Sequence, residues 1–294
     1  MYYRRKILLA LLQQFDGDIL QNELQLLLFL FSQNQVEPAF HFIPFKNGPL
    51  SFQANQDLST LEKNGTVAKQ GDKYEIIDKT EYLNQLSDED KAHLLQFHNE
   101  FKNKKTSEIE RHIYIKYPYY ALNSENLESI LSKDEIESIF RHQPKKYDLT
   151  LFTIAYENKS IEEYLNQLIV ENVKTVVDVR NNPYSRKFGF SKNQLKAFVE
   201  AIGIKYWHRP ELGIDTKQRH NLKTKEERQA LFSDYEKNIL SHRTEQINQL
   251  SSEFLQSRRI ALSCFEADYE DCHRSKLAKY LIRLLDNKYP IEHI

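Results

Sequence analysis

Two cysteines, Cys264 and Cys272, lie near the end of the chain among other groups able to carry chemistry. Glu266 follows the first; His273 and Arg274 follow the second. A cysteine just before an amphipathic helix sits near free backbone N–H groups and the positive end of the helix dipole, which lower a thiol pKa and attract anions. On this ground Cys272 is expected to be the more reactive thiol, with Cys264, at the end of a buried strand, the more inert. Arg274 adds a planar fork suited to phosphate or carboxylate. A nucleophilic thiolate, a redox pair and a metal site stand as alternatives. The spacing is unlike Cys-x-x-Cys, adjacent Cys and His rarely serve one metal, and no fourth ligand is evident, so neither metal nor cofactor is expected.

A second constellation stands at Asp178 and Arg180, which alternate with Val177 and Val179 and so share a strand face. They read either as a structural ion pair or as an anchored acid or base beside an anion clamp. The loop after them, Asn181–Phe190, is polar and basic, and its Ser185, Arg186 and Lys187 could receive a phosphate. Gly213–Thr224 carries Lys217, Arg219, His220 and Lys223, a basic segment long enough to cover the same edge. Glycine is scarce, with seven in 294 residues, so a glycine-rich nucleotide loop has little material.

The elements that must position these groups alternate in type. Leu149–Ala155, Thr175–Val179, Lys205–His208 and Ile260–Phe265 read as strands. Helices start at the capping box Ser160/Glu163 and at Ser191; two more are expected over about 224–240 and 243–257, and one over His273–Leu285. Such alternation implies an α/β fold, a mostly parallel sheet flanked by helices, with ligands gathering at the carboxyl ends of the strands. Tyr156 and Glu157, Asp178 and Arg180, His208, Arg209 and Glu211, and Cys264, Glu266 and Asp268 then converge on one edge. The expected site comprises Asp178, Cys264, Glu266 and Cys272 as chemical groups, with Tyr156, Arg180, Ser185, Arg186, His208, Arg219, His273 and Arg274 as ligand contacts.

Before this region the pattern is different. Residues 4–15, 20–31 and 51–63 carry helical periodicity, with a loop over Pro38–Pro49 and two short strands at 66–77. Helix, helix, helix, hairpin is the order of a winged helix, which binds nucleic acid or protein. The expected division is a winged-helix α+β domain at 1–80, a helical connector at 81–147 and the α/β domain at 148–294.

With 40% hydrophobic and 28% charged residues the chain is globular, and a net charge of −1 gives no global basic field for nucleic acid. Two cysteines exclude a disulfide framework. The N-terminal apolar run stops at Gln13-Gln14 without a small-residue cleavage site, and Leu26–Phe31 is too short to cross a bilayer, so a cytoplasmic protein without a membrane partner is expected.

Several motifs carry a family resemblance. Thr153–Leu165, Val177-Asp-Val-Arg, Pro183–Ser191, Gly203-Ile-Lys-Tyr, Pro210-Glu-Leu-Gly-Ile and Ser263-Cys-Phe-Glu with Cys272-His-Arg together resemble domain of unknown function 488, over about 149–285. The resemblance implies no reaction. The family pattern has glycine where Ala155 stands, and often where Asn158 stands; glycines that let a ligand approach the backbone would make this site bind differently. Phe42–Phe52, Asp57-Leu58 and Leu61–Gly65 resemble the winged-helix domains of SocA-type antitoxins. The expected function is binding of a nucleotide or nucleic acid through its phosphate, with chemistry on it; the alternative is a non-enzymatic regulator that senses a small anion.

Overall fold

A computed structural model describes residues 1–141, 143, 146–215, 218 and 224–294. The chain forms two compact units, Met1–Gln143 and Pro144–Ile294.

In the first unit, helix α1 (Tyr3–Gln14) buries Ile7–Leu12 and ends where Asp16 and Gly17 take left-handed backbone angles. Strand β1 (Asp18–Leu20) leads into helix α2 (Gln21–Ser32), buried from Leu24 to its end. The expected loop at Pro38–Pro49 contains a small hairpin, β2 (Ile43–Phe45) and β3 (Gly48–Leu50). Helix α3 (Phe52–Lys63) is capped by Ser51, whose Oγ accepts from the Ala54 N–H at 3.2 Å. Strands β4 (Val67–Gln70) and β5 (Lys73–Ile76) close a three-stranded antiparallel sheet of order β1-β5-β4.

Helices α4 (Asp88–Phe101), α5 (Thr106–Lys116), α6 (Leu127–Ile130) and α7 (Lys133–Phe140) follow. Leu94, Phe97, Ile109, Ile113, Tyr114 and Ile139 join the same core as Leu26–Phe31. The segment expected as a connector therefore completes the first core: the second half of α2, from Leu26, is apolar on every side and needs partners beyond α1 and α3.

The second unit is a five-stranded, wholly parallel sheet of order β10-β6-β9-β7-β8. Its elements in chain order are β6 (Thr150–Ala155), α8 (Ile161–Val170), β7 (Thr175–Asp178), α9 (Lys192–Ala201), β8 (Lys205–His208), α10 (Lys225–Asp234), α11 (Thr244–Ser257), β9 (Arg259–Cys264), α12 (His273–Leu284) and β10 (Ile291–His293). Every residue of β6, β7 and β9 is buried, as continuous apolar strands covered on both faces should be. The Ser160/Glu163 capping box forms at α8. The helix expected over 224–240 gives way after Asp234 to one wide turn, Tyr235–Ile239, that buries Tyr235 and aims its hydroxyl at the Leu212 carbonyl. Strand β10 was not expected from sequence. No helix among the described residues is long and apolar enough to cross a membrane.

Candidate functional site at the carboxyl edge of the sheet

The loops after β6, β7 and β9 meet at one edge. The Glu157 N–H donates to the Phe265 carbonyl at 3.0 Å, the Ala267 N–H to the Glu157 carboxylate at 2.7 Å, and the Lys187 ammonium to the Tyr156 carbonyl at 2.9 Å. Between them lies an open cleft of about 410 Å³. Tyr156, Arg180, Cys264 and Glu266 contribute to its lining, together with Asn181, Asn182, Tyr184, Ser185 and Arg186 from the loop after β7.

Asp178 and Arg180 form a buried ion pair, with Nε and Nη2 donating to the two carboxylate oxygens at 2.8 and 2.6 Å. The remaining guanidinium nitrogen donates to the Tyr156 hydroxyl and the Phe190 carbonyl, each at 2.8 Å. Tyr206, from β8, donates to the same carboxylate at 2.6 Å. Burial opposes the Arg180 charge, but the hydrogen bonds and charge of Asp178 outweigh it and raise the pKa. The Tyr206 phenol is also raised, by burial and then by the Asp178 charge. Each nitrogen of the fork already has a protein acceptor, so Arg180 is not a spare anion clamp. It fixes Tyr156, which lines the cleft, against the buried Phe190, the two rings stacking 4.4 Å apart.

His208 lies outside the cleft lining and holds the Arg180 carbonyl through Nε2 at 2.9 Å. Ser185 is folded into its own loop: its N–H donates to Ser191 Oγ, and its Oγ accepts from the Lys187 N–H, each at 3.2 Å. Arg186 is exposed and faces the cleft. Arg274, expected as an anion clamp, is 2% exposed and staples the loop after β9, with Nη1 and Nη2 donating to the Glu266 and Ala267 carbonyls at 2.5 and 3.3 Å. Arg219 lies outside the described residues, as do Lys217, His220 and Lys223 of the same basic segment.

Behind the cleft the two thiols, His273 and Glu266 come together. Cys264 Sγ and Cys272 Sγ both donate to one oxygen of Glu266, at 3.1 and 2.9 Å. His273 Nδ1 lies 3.7 Å from the first sulfur and 4.0 Å from the second. Its Nε2 is 3.0 Å from the Val179 carbonyl, which can only accept, so Nε2 carries a proton and Nδ1 faces the sulfurs. Cys272 occupies the position before α12, as expected, yet burial, followed by its contact with Cys264, pushes its thiol well up. The expected lowering by the helix end is overridden because the thiol is 1% exposed. Cys264 is equally buried but borders the cleft, so the expected order of reactivity does not follow from this geometry.

Two backbone features complete the site. Gly213 packs so closely on the loop after β7 that an added Cβ would lie 2.5 Å from both the Val179 carbonyl oxygen and the Asn181 nitrogen. Asn158 has φ +60°, so a glycine at this position answers a backbone angle, which asparagine also tolerates. That account needs no ligand approaching the chain there.

Residues 160–281 match the family model of domain of unknown function DUF488. The DUF488 match takes in β7, β8, β9, most of α12 and both cysteines, and begins after β6 and Tyr156. No curated protein matches the chain. Sequence reasoning missed Tyr206, Phe190, Asn181 and Asn182. An aromatic residue on a buried strand reads as core, and the Phe190 contribution is a backbone carbonyl that no side-chain type announces.

Proposed function

We propose that the C-terminal unit binds a phosphate-bearing ligand, a nucleotide or a nucleic-acid strand, in the cleft at the carboxyl edge of its sheet, and acts on it there. The observation that carries the reading is the pairing of two walls. Exposed Arg186, Asn181 and Asn182 offer hydrogen-bond donors and a positive charge on one side, while Cys264 and Glu266, backed by His273, offer groups able to exchange protons on the other. Arg180 and Tyr156 hold the first wall in place, so a ligand would meet a preformed surface.

The test is calorimetric titration of the full chain with inorganic phosphate, nucleotides and short single-stranded oligonucleotides, with product analysis of each mixture. Saturable binding that Arg186→Ala weakens, and that added salt weakens as expected for phosphate contacts, supports the reading. Turnover supports an enzyme, and binding without turnover an anion sensor. Absence of saturable binding at low salt for the whole panel would rule the reading out.

For the N-terminal unit the favoured reading is a winged helix that docks a protein. The order α1-β1-α2-β2-β3-α3-β4-β5, in which the β2–β3 hairpin is an insertion between α2 and α3 and β1 lies beside β5, supports the winged helix. The charges favour a protein partner over DNA: α3 carries one cation, Lys63, while Arg4 and Arg5 bind the buried Asp57 at 2.5 and 2.7 Å. Duplex binding by the full chain that is lost on Lys69→Ala/Lys73→Ala substitution in the β4–β5 hairpin would overturn this reading.

A further inference from the structure

We propose that Cys264, Cys272, His273 and Glu266 form a zinc site at the floor of the cleft. Among the described residues, Cys264, Cys272 and His273 are the one grouping of three or more potential metal ligands whose donor atoms all lie within 4.8 Å of one another, and each residue is buried. Glu266 is outside that grouping, but a single oxygen of its carboxylate touches both sulfurs and offers a fourth donor.

Tetrahedral zinc has bonds of about 2.0–2.3 Å to oxygen, nitrogen and sulfur, which puts neighbouring donor atoms about 3.3–3.8 Å apart. The sulfur–nitrogen distances here are 3.7 and 4.0 Å and the sulfur–oxygen distances 3.1 and 2.9 Å. Each lies within about half an ångström of the tetrahedral range, a change that small side-chain rotations supply. Two sulfurs and an imidazole disfavour magnesium and calcium, which take oxygen ligands, and suit zinc.

The surroundings match what a ligating histidine requires. His273 donates its other ring N–H to the Val179 carbonyl, which fixes the tautomer and turns Nδ1 inward. Two thiolates and a carboxylate around a divalent ion leave one excess negative charge. Arg274, buried alongside and bonded to the Glu266 carbonyl, offsets it. Entry is from the cleft, which Cys264 and Glu266 line. Each thiol releases its proton to solvent as its sulfur–metal bond forms, and no electron is transferred. The site goes beyond the phosphate-ligand reading and does not depend on it; with zinc bound, Cys264, Glu266 and His273 serve as ligands instead of as proton-exchanging groups.

The test uses the full chain, kept reduced, stripped with chelator and titrated with Co²⁺ as a spectroscopic stand-in. The expected result is one equivalent bound, with thiolate-to-cobalt charge-transfer absorption and the strong visible bands of tetrahedral cobalt, both abolished by Zn²⁺. Cys264→Ser and Cys272→Ser should each lower the charge-transfer intensity. Each should also weaken binding by more than the roughly 10–100-fold that loss of a supporting hydrogen bond costs a metal site. Zinc should protect both thiols of the unmodified chain from alkylation until chelator is added, a readout that needs no variant to fold. No charge-transfer band with excess Co²⁺, or a band that survives the double Cys264→Ser/Cys272→Ser change, would overturn the proposal. Neither measurement involves the phosphate ligand, so failure here and failure of the ligand reading are separately visible.

Discussion

Asp178→Asn is the sharpest probe of the reasoning about Arg180. Asp178 is fully buried and Arg180 is 5% exposed, so the substitution leaves a guanidinium charge in the interior with a neutral partner of nearly the same shape. Breaking a buried pair from one side costs about 3–5 kcal/mol, because the remaining charge has lost its compensation. Domain stabilities are about 5–15 kcal/mol, so the change should remove a large share of what holds this unit together. Tyr206→Phe is the built-in control. It removes one 2.6 Å hydrogen bond to the same carboxylate while the pair stays intact, and should cost about 1.5–3 kcal/mol. The chain has a single tryptophan, Trp207 on β8, so urea unfolding followed by tryptophan fluorescence reports this unit selectively. The expected order of midpoints is wild type, then Tyr206→Phe, then Asp178→Asn. An Asp178→Asn variant as stable as wild type, or more stable than Tyr206→Phe, would refute the structural assignment and return Asp178 to the candidates for an active carboxylate.

Other consequences can be checked with the same fluorescence or with circular dichroism. Gly213→Ala should cost at least about 1–3 kcal/mol, since its methyl group would meet backbone atoms at 2.5 Å rather than a movable side chain; an unchanged midpoint would refute this close approach. At Asn158, glycine should be nearly neutral and alanine should cost about 1–2 kcal/mol, because φ is +60°; equal effects would argue against the backbone account. Burial raises the Glu110 pKa, only partly opposed by the amides of Asn126 and then Asn22. The folded chain therefore holds this proton more tightly than the unfolded one, and stability declines as pH rises from the unfolded value through the raised folded value. Glu110→Gln should then gain on wild type as pH rises above about 4.5, followed by ellipticity; a difference independent of pH would contradict the assignment.

Much of the second unit can be read along the chain because its signals are local. The Ser160/Glu163 box starts α8, and the β-branched run at 175–179 makes a strand buried on both faces. What escapes is nonlocal. Strand β1 is three residues whose partner, β5, comes some fifty residues later, and in sequence it merges with the helix that follows. Arg180 looks the same on paper whether it faces a ligand or the interior. The choice is made by the Phe190 carbonyl and Tyr156, which only the fold brings to it. The cysteine cluster was visible as residue types, but the turn that folds Cys272 and His273 back over Cys264 and Glu266 has no periodicity to betray it. The last part of the helix expected over 224–240 fails for a related reason: Tyr235 is drawn inward to a carbonyl on a distant segment.

Strand β10 bears on how the molecule avoids its neighbours. Without it, β6 would present six buried residues, four of them apolar, and a row of unpaired backbone groups at the margin of the sheet, a template on which another chain could add a strand. The capping strand is only three residues long and carries exposed Glu292 and His293, a poor surface for further pairing. The His293 ring stacks on Tyr269 at 3.8 Å and shares a 2.7 Å hydrogen bond with the Thr153 hydroxyl. The same few residues thus guard against self-association and brace the loop that runs from Glu266 to Cys272. Proteolytic loss of residues 288–294 should cause aggregation and loosen that loop together.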